Sequence, residues 1–372
     1  MRGTYCYLPI LRARWGAFQA IGELSPIARS RLTPLFDVPV PTPKNGKTLE
    51  AYLAERAKGI YQSWGQERPV YVDIHDLPLD LRTSSGAQPI TYLLNVLRMN
   101  GSLAVPVTGT EADRGLDYLT AVNAIVARDR RGACLRLAED DLVEPHLLQS
   151  GIAGVLDLLK IEPSKLDLVL DFRYIGNRSP DPLQAILLEA LQVIHRIGEF
   201  RNLAVAGSSV PQALGKNTLG KIHRERRIEY GLWTQLATTL SNQMTIVPGD
   251  HGVLYAHYVP PATFVRVPPR IRYTTASDHI FYRAKSGEYA EICKQLVSSE
   301  DFAGESFSAG DHRISQCARD AADPGTASGW VASDTNHHLE FASEQTWRFL
   351  REAGLSGRFA LPEPQHFPWL QV

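Results

Sequence analysis

The feature that most constrains this chain is a rhythm. Short apolar runs recur at residues 5–12, 32–37, 70–75, 103–108, 133–136, 166–173, 203–208 and 244–250, and most end in a polar or charged residue. The segments between them mostly carry a helical apolar period, as over 116–126 and 185–197. Strand and helix alternating eight times predict an α/β fold, a (β/α)8 barrel of TIM type. A doubly wound open sheet is the competitor, and eight strand–helix units argue against it. Such a barrel takes about 250 residues, so a chain of 372 residues leaves room for an appendage. The expected division is a barrel over residues 1–265 and a C-terminal α+β extension over 266–372, packed on the barrel.

Beyond the eighth run the periodicity stops. Two Pro-Pro pairs, Pro260-Pro261 and Pro268-Pro269, bracket residues 262–267, which read as an edge strand. Helices are expected near 288–298 and 345–352. Residues 224–229 (Arg-Glu-Arg-Arg-Ile-Glu) mix signs like a solvated helix face.

Bulk properties narrow the function classes. The formal net charge of −1 supplies no global field for nucleic acid or an anionic membrane, although a local basic patch can hide in a neutral total. The four cysteines, Cys6, Cys134, Cys293 and Cys317, show no metal-type spacing. No run approaches the roughly 20 apolar residues that span a bilayer, and the first residues lack a secretory pattern. A reducing cytoplasm is the expected location. P-loop, GxSxG, GxGxxG and HExxH motifs are not found, which removes the usual sequence support for nucleotide-triphosphate hydrolysis, α/β-hydrolase chemistry and zincin proteolysis.

The functional face of a barrel lies at the C-terminal ends of its strands. Strand side chains alternate between faces, and charges do not belong against the helix layer. The expected inward upper layer is therefore Arg12, Asp37, Asp73, His75, Thr108, Arg136, Asp171, Arg173, Ser208 and Asp250. One reading is a set of internal salt bridges filling the mouth. The other is a polar pocket for an anionic or polyhydroxylated ligand. In the second, Arg12, Arg136 and Arg173 neutralise charge, Asp73 or Asp171 is a general base and His75 an acid. The glycine-bearing loops Gly207-Ser208-Ser209 and Pro248-Gly-Asp250-His-Gly252 fall where this fold often holds phosphate. No cofactor is identified. Asp37, Asp73 and Asp171 are the carboxylates that would gather a divalent metal such as magnesium, if they converged. In the extension, Asn336-His-His-Leu339 is a weak metal signal. One histidine there is expected at the surface and the other in packing, unless the tail folds over the mouth and brings His337 or His338 into it as an acid or base.

Several phrases together resemble the Beta protein family of bacteria and their phages. They are Tyr7-Leu-Pro-Ile-Leu-Arg-Ala-Arg14, Leu32-Thr-Pro-Leu-Phe-Asp37 and Pro248-Gly-Asp-His-Gly252, then Gly310-Asp311, Gly325, Trp330 and Thr335-Asn-His-His-Leu339. The resemblance spans nearly the whole chain, which implies that the extension belongs to the fold. It implies no established activity. The first-strand phrase departs from an acid-containing Lys-x-x-x-Glu type pattern, because Arg14-Trp-Gly-Ala17 has no Glu at the corresponding place.

Two functions follow as expectations. The first is an enzyme acting on an anionic, phosphate-containing substrate, like a phosphoester hydrolase. The second is a non-catalytic sensor or subunit of a phage-defence or phage-encoded assembly, gripping a protein partner through Trp330, Trp347 and Trp369. A fully paired mouth favours the second; unpaired arginines in an open cleft favour the first.

Overall fold

The computed structural model describes residues 4–41, 46–215, 218–259, 268–285, 288–319 and 325–361. Eight parallel strands close into a barrel: β1 (Leu8–Arg12), β2 (Leu35–Asp37), β3 (Pro69–Asp73), β4 (Leu103–Thr108), β5 (Ala133–Ala138), β6 (Leu166–Tyr174), β7 (Asn202–Ser208) and β9 (Val247–Asp250). The seam is closed where Leu8 and Pro9 pair with Gly249 and Asp250. The eight-unit rhythm is thus a (β/α)8 barrel, although β1, β2 and β9 are shorter than their apolar runs.

Helices follow the strands in order: α1 (Trp15–Gly22), α2 (Pro26–Arg31), α3 (Leu49–Trp64), α4 (Pro89–Met99), α5 (Glu111–Arg114), α6 (Leu116–Asp129), α7 (Glu139–Leu142), α8 (Pro145–Leu159), α9 (Pro180–Ile197) and α10 (Ile228–Thr239). Their boundaries have local causes. Thr48 caps α3 by accepting from the Ala51 N–H, and Gly65 ends it at φ 90°. Proline opens α4, α8 and α9, where its missing N–H costs nothing. The helices bury their apolar stripes on the strands, as Leu183, Leu187, Ala190, Leu191 and Ile194 of α9 do.

The extension is built from β8 (Ile222–Arg226), β10 (Arg270–Thr274), β11 (Asp278–Arg283), α11 (Tyr289–Val297), α12 (Ala309–Ala318) and α13 (Ala327–Glu352). Its antiparallel sheet has the order β10-β11-β8, so one of its strands comes from between β7 and β9. The sign-mixed segment at 224–229 is therefore not one helix face. Residues 222–226 form a strand whose exposure alternates residue by residue, and Ile228 begins α10. The charges obscured a period of two. The edge strand expected at 262–267 falls outside the described residues.

The 26-residue α13 is the larger surprise, since only its last turns were legible. Thr326 caps it by accepting from Gly329 N. Its N-terminal half has almost no apolar stripe, yet residues 332–339 are all buried. Polar groups do the joining there. The amide of Asn336 donates to Ala20 O (3.1 Å) on α1 and its oxygen accepts from Gly310 N (3.0 Å) on α12. Both His337 and His338 are fully buried, so neither is a surface residue. Trp330 is also buried, stacked on Tyr289 at 4.4 Å, which removes it as a partner anchor. Trp347 is half-buried beside Arg31, and Trp369 lies outside the described residues.

Close packing of α12 on α13 depends on Gly310. A Cβ there would sit 2.2 Å from the Ser333 carbonyl oxygen, which is backbone and cannot swing away. Gly310→Ala is expected to cost about 1–3 kcal/mol, the usual cost of overpacking, read as a lower urea midpoint. An unchanged midpoint would mean the two helices slide freely.

Candidate functional site

The strand alternation places Asp37, Asp73, Arg136 and Asp171 inward near the top of the barrel, and there they converge. The Arg136 Nη1 donates to Asp37 Oδ1 (2.7 Å) and Asp73 Oδ2 (2.9 Å); its Nε and Nη2 donate to Asp171 Oδ2 (3.0 and 2.6 Å). Arg114, from α5, forks onto both oxygens of Asp73 at 2.9 and 3.1 Å. His251 Nε2 donates to Asp171 Oδ1 (2.9 Å). The backbone N–H groups of His75 and Arg173 complete the sets on Asp73 and Asp171. Each of those two carboxylates has two donors on each oxygen.

Protonation follows from this. Burial pushes Asp73 upward, but Arg114 and Arg136 outweigh it and hold the acid well below the usual carboxylate range. Burial acts the same way on Asp171 and is overcome by His251 and Arg136. Arg136 loses to burial but gains more from its three carboxylates and stays charged. An acid this depressed, with every lone pair engaged, is a poor general base. The three carboxylates do converge as a metal site would require, but on a guanidinium that occupies their centre. Among the described residues, no group of three His, Cys, Asp or Glu side chains is arranged to hold a metal ion.

The layer above is different. The register between β6 and β7 shifts after Asp171, and Arg173 adopts φ 53°. Left-handed backbone costs a residue with a Cβ about 1–2 kcal/mol, and such bulges re-aim side chains beside functional sites. Among the described residues no carboxylate pairs with the half-buried Arg173, yet its charge acts on His75, Asp76 and His257. Asp76, one residue past His75 in the long loop after β3, is the acid that strand alternation missed, because it lies beyond the strand. Burial, helped by Asp37, pushes its carboxyl up to about 6 against the pull of Arg173 and Arg12. Burial, then Arg173 and Arg114, lowers His75, so it is neutral at pH 7 and unsuited as an acid.

Thr108 is buried and donates to the Gly109 carbonyl (3.2 Å), while the strand-end residues of β7 and β9 belong to a second buried region. Ser208 accepts from Val210 N (3.2 Å), while Ser209 donates to Glu229 (2.6 Å) and accepts from Ile228 N (3.1 Å). Gly207 is covered by Ile175 and Glu229. Asp250 Oδ1 accepts from Tyr7 (2.8 Å), His338 Nε2 (3.0 Å) and Gly252 N (2.9 Å). Thr274 lies 2.8 Å from His338 Nδ1, and His337 bridges Asp311 (2.8 Å) to the Thr274 carbonyl (2.9 Å). The tail does fold onto the barrel, and its histidines tie the two together.

Between the barrel mouth and the extension opens a cleft of about 530 Å³. At one end it meets Arg12, Asp37 and His251; at the other it meets Arg270, Arg272 and α13. The described lining carries five arginines (Arg12, Arg14, Arg56, Arg270 and Arg272) against a single carboxylate, Asp37, which is already bound to Arg136. Arg272 pairs with Asp334 at 3.0 Å. Among the described residues Arg14 and Arg270 have no carboxylate partner, and Arg12 donates only to the Tyr255 and His257 carbonyls. Neighbouring Arg272, then burial, push Arg270 down to about 10. The first turn of α1 (Trp15, Gly16 and Ala17) also lines the cleft, with no side-chain cap and no acid in that turn. The uncapped start of α1 thus adds its positive end to the arginines, while the first turn of α13, which Thr326 caps, supplies Ser328 to the lining.

No helix among the described residues is long and apolar enough to cross a membrane. No curated protein matches the chain. The family resemblance is upheld over the barrel and most of the extension together: the Beta protein family model matches residues 7–344, and the chain belongs to that family.

Proposed function

We propose that the protein binds a phosphate-bearing anion in the cleft between barrel and extension and hydrolyses it at the barrel mouth. The observation that carries this reading is the local charge, in a chain whose formal net charge is −1. Arg12, Arg14 and Arg270 line the cleft with no carboxylate paired to them among the described residues, while Arg56 and Arg272 are held by Glu55 and Asp334, and the uncapped start of α1 adjoins them. Guanidinium forks and free helix N–H groups are the usual holders of phosphate oxygens. Arg12 lines the cleft, Arg12 and Arg173 both act on Asp76, and Arg136 holds the strand-end carboxylates. Asp76 lies in the field of Arg12, which lines the cleft. In the reaction a water oxygen bonds to phosphorus, the P–O ester bond breaks, Asp76 takes the water proton and solvent protonates the departing oxygen.

The test is a thermal-shift titration with phosphate and pyrophosphate, followed by turnover of an aryl phosphate. Arg14→Glu or Arg270→Glu is expected to abolish the shift. Asp76→Asn is expected to remove turnover while keeping anion binding. Because Asp76 is a base only when ionised, the wild-type rate should climb as pH rises to about 6 and then level off. The same shift has a sign in stability. A raised carboxyl favours the folded state while protonated, so stability is lost as pH rises from about 4 through about 6. Asp76→Asn should therefore melt higher than wild type at pH 7.5 and equally at pH 4. A variant with normal turnover sinks the catalytic assignment. The paired lower layer favours a non-catalytic sensor as the second reading, which predicts binding with no turnover at any pH.

A further inference from the structure

We propose that the ligand of this cleft is nucleotide-sized: a phosphate held among the arginines and a planar heteroaromatic ring laid against Trp15. The proposal rests on the anion-binding reading above and adds the chemistry of the rest of the ligand.

The cleft is too large for a simple anion. Its volume, about 530 Å³, lies in the range of pockets that enclose whole organic ligands, about 300–1,000 Å³. A lone phosphate would contact the guanidinium groups and leave the remaining walls facing solvent. Those walls are not cationic. Tyr52, Tyr255, Val40, Val253 and Leu254 line them, a surface suited to an uncharged organic body.

Trp15 is the second observation. It is 55% exposed, whereas Trp64, Trp233 and Trp330 are buried. It stands at the first position of α1, and Gly16 and Ala17 beside it also line the cleft. Exposed indole beside a cationic groove is the arrangement by which proteins stack nucleobases, because every base offers a π-face. The backbone N–H groups that suit a phosphate belong to the same turn as Trp15, so anion and ring subsites adjoin. The guanidinium groups of Arg12 and Arg14 already lie 5.7 and 5.6 Å from the Tyr258 ring centre, so planar stacking partners are concentrated at this rim.

Isothermal titration of the full chain separates the outcomes, with pyrophosphate, ribose 5-phosphate, adenosine and the four common nucleoside monophosphates as probes. At least one nucleoside monophosphate is expected to bind about tenfold or more tightly than ribose 5-phosphate, and Trp15→Ala to weaken it by a similar factor. Because Trp15 is exposed, the variant should fold, which its melting temperature checks. Ribose 5-phosphate binding as well as every nucleotide, or nucleotide affinity indifferent to Trp15→Ala, would overturn the ring subsite and leave the anion reading standing. Binding by no anion, or adenosine binding as well as its monophosphate, would overturn the anion reading itself and this proposal with it.

Discussion

Arg136→Met is expected to leave the barrel unable to hold its native state near neutral pH. Methionine keeps the apolar stem and loses the guanidinium, so the loss is mainly electrostatic. Removing it leaves Asp37, Asp73 and Asp171 together in a buried layer, with only Arg114 and His251 as counter-groups. Breaking a buried pair by deleting one partner typically costs about 3–5 kcal/mol, and this one guanidinium serves three acids. The whole stability of a native domain is only about 5–15 kcal/mol. The expected result is therefore aggregation on expression, or a urea midpoint lowered by at least half. Arg136→Lys should rescue part of this, since it restores charge but not the fork that reaches three carboxylates. A methionine variant that melts within a few degrees of wild type would show that the cluster relaxes or takes up protons at little cost.

The second large effect is expected at the tie between barrel and extension. Asp250 ends β9 and gathers the Tyr7 hydroxyl, His338 of α13 and the Gly252 N–H on one oxygen. Burial pushes its carboxyl upward, and His338, with Arg227 behind it, more than reverses that, so it is ionised at neutral pH. Burial in turn keeps His338 below its ordinary value despite Asp250. Asp250→Ala removes the acceptor these three donors share. The Tyr7 hydroxyl, 3.0 Å from His338 Nε2, can turn to the imidazole, which leaves the Gly252 N–H orphaned and the charged tie between α13 and the barrel gone. A buried orphan costs about 1–3 kcal/mol. The expected loss is thus a few kcal/mol, concentrated where α13 meets the barrel. Hydrogen exchange should show α13 amides losing protection before those of β5 and β6. Asp250→Asn keeps an acceptor and should lose much less. Equal, small losses in both variants would mean that apolar packing, not this network, holds the extension.

How much of this was legible follows from the range of each signal. The barrel could be read because its cause is local: buried strands need apolar runs, and the helices between them need a period near 3.6. The convergence of Asp37, Asp73, Arg136 and Asp171 could be anticipated in kind, since alternation sends each of them inward. Their pairing could not, because it depends on which strand tops meet across the barrel. Arg114 was missed for the same reason. It arrives from a four-residue helix and finds Asp73 across 41 positions of sequence. Asp76 escaped because strand alternation ends at Asp73 and has nothing to say about a loop.

The extension marks the limit most clearly. Residues 327–339 carry serines, an aspartate, an asparagine and two histidines, with no apolar stripe to announce a helix. Read alone they describe a solvated loop. In the folded chain they are the buried seam of the molecule, because Ala20 O, Gly310 N, Asp250, Thr274 and Asp311 each supply a hydrogen-bond partner. The cleft is likewise a product of the tertiary fold. Arg12 and Arg14 on one side and Arg270 and Arg272 on the other are more than 250 positions apart in the chain. The sequence by itself determined the barrel and the inward placement of its charges, because period and burial act over a few residues. Only the tertiary structure decided which charges neutralise one another and which remain facing a cleft, because hydrogen-bond satisfaction and charge balance are settled between distant segments.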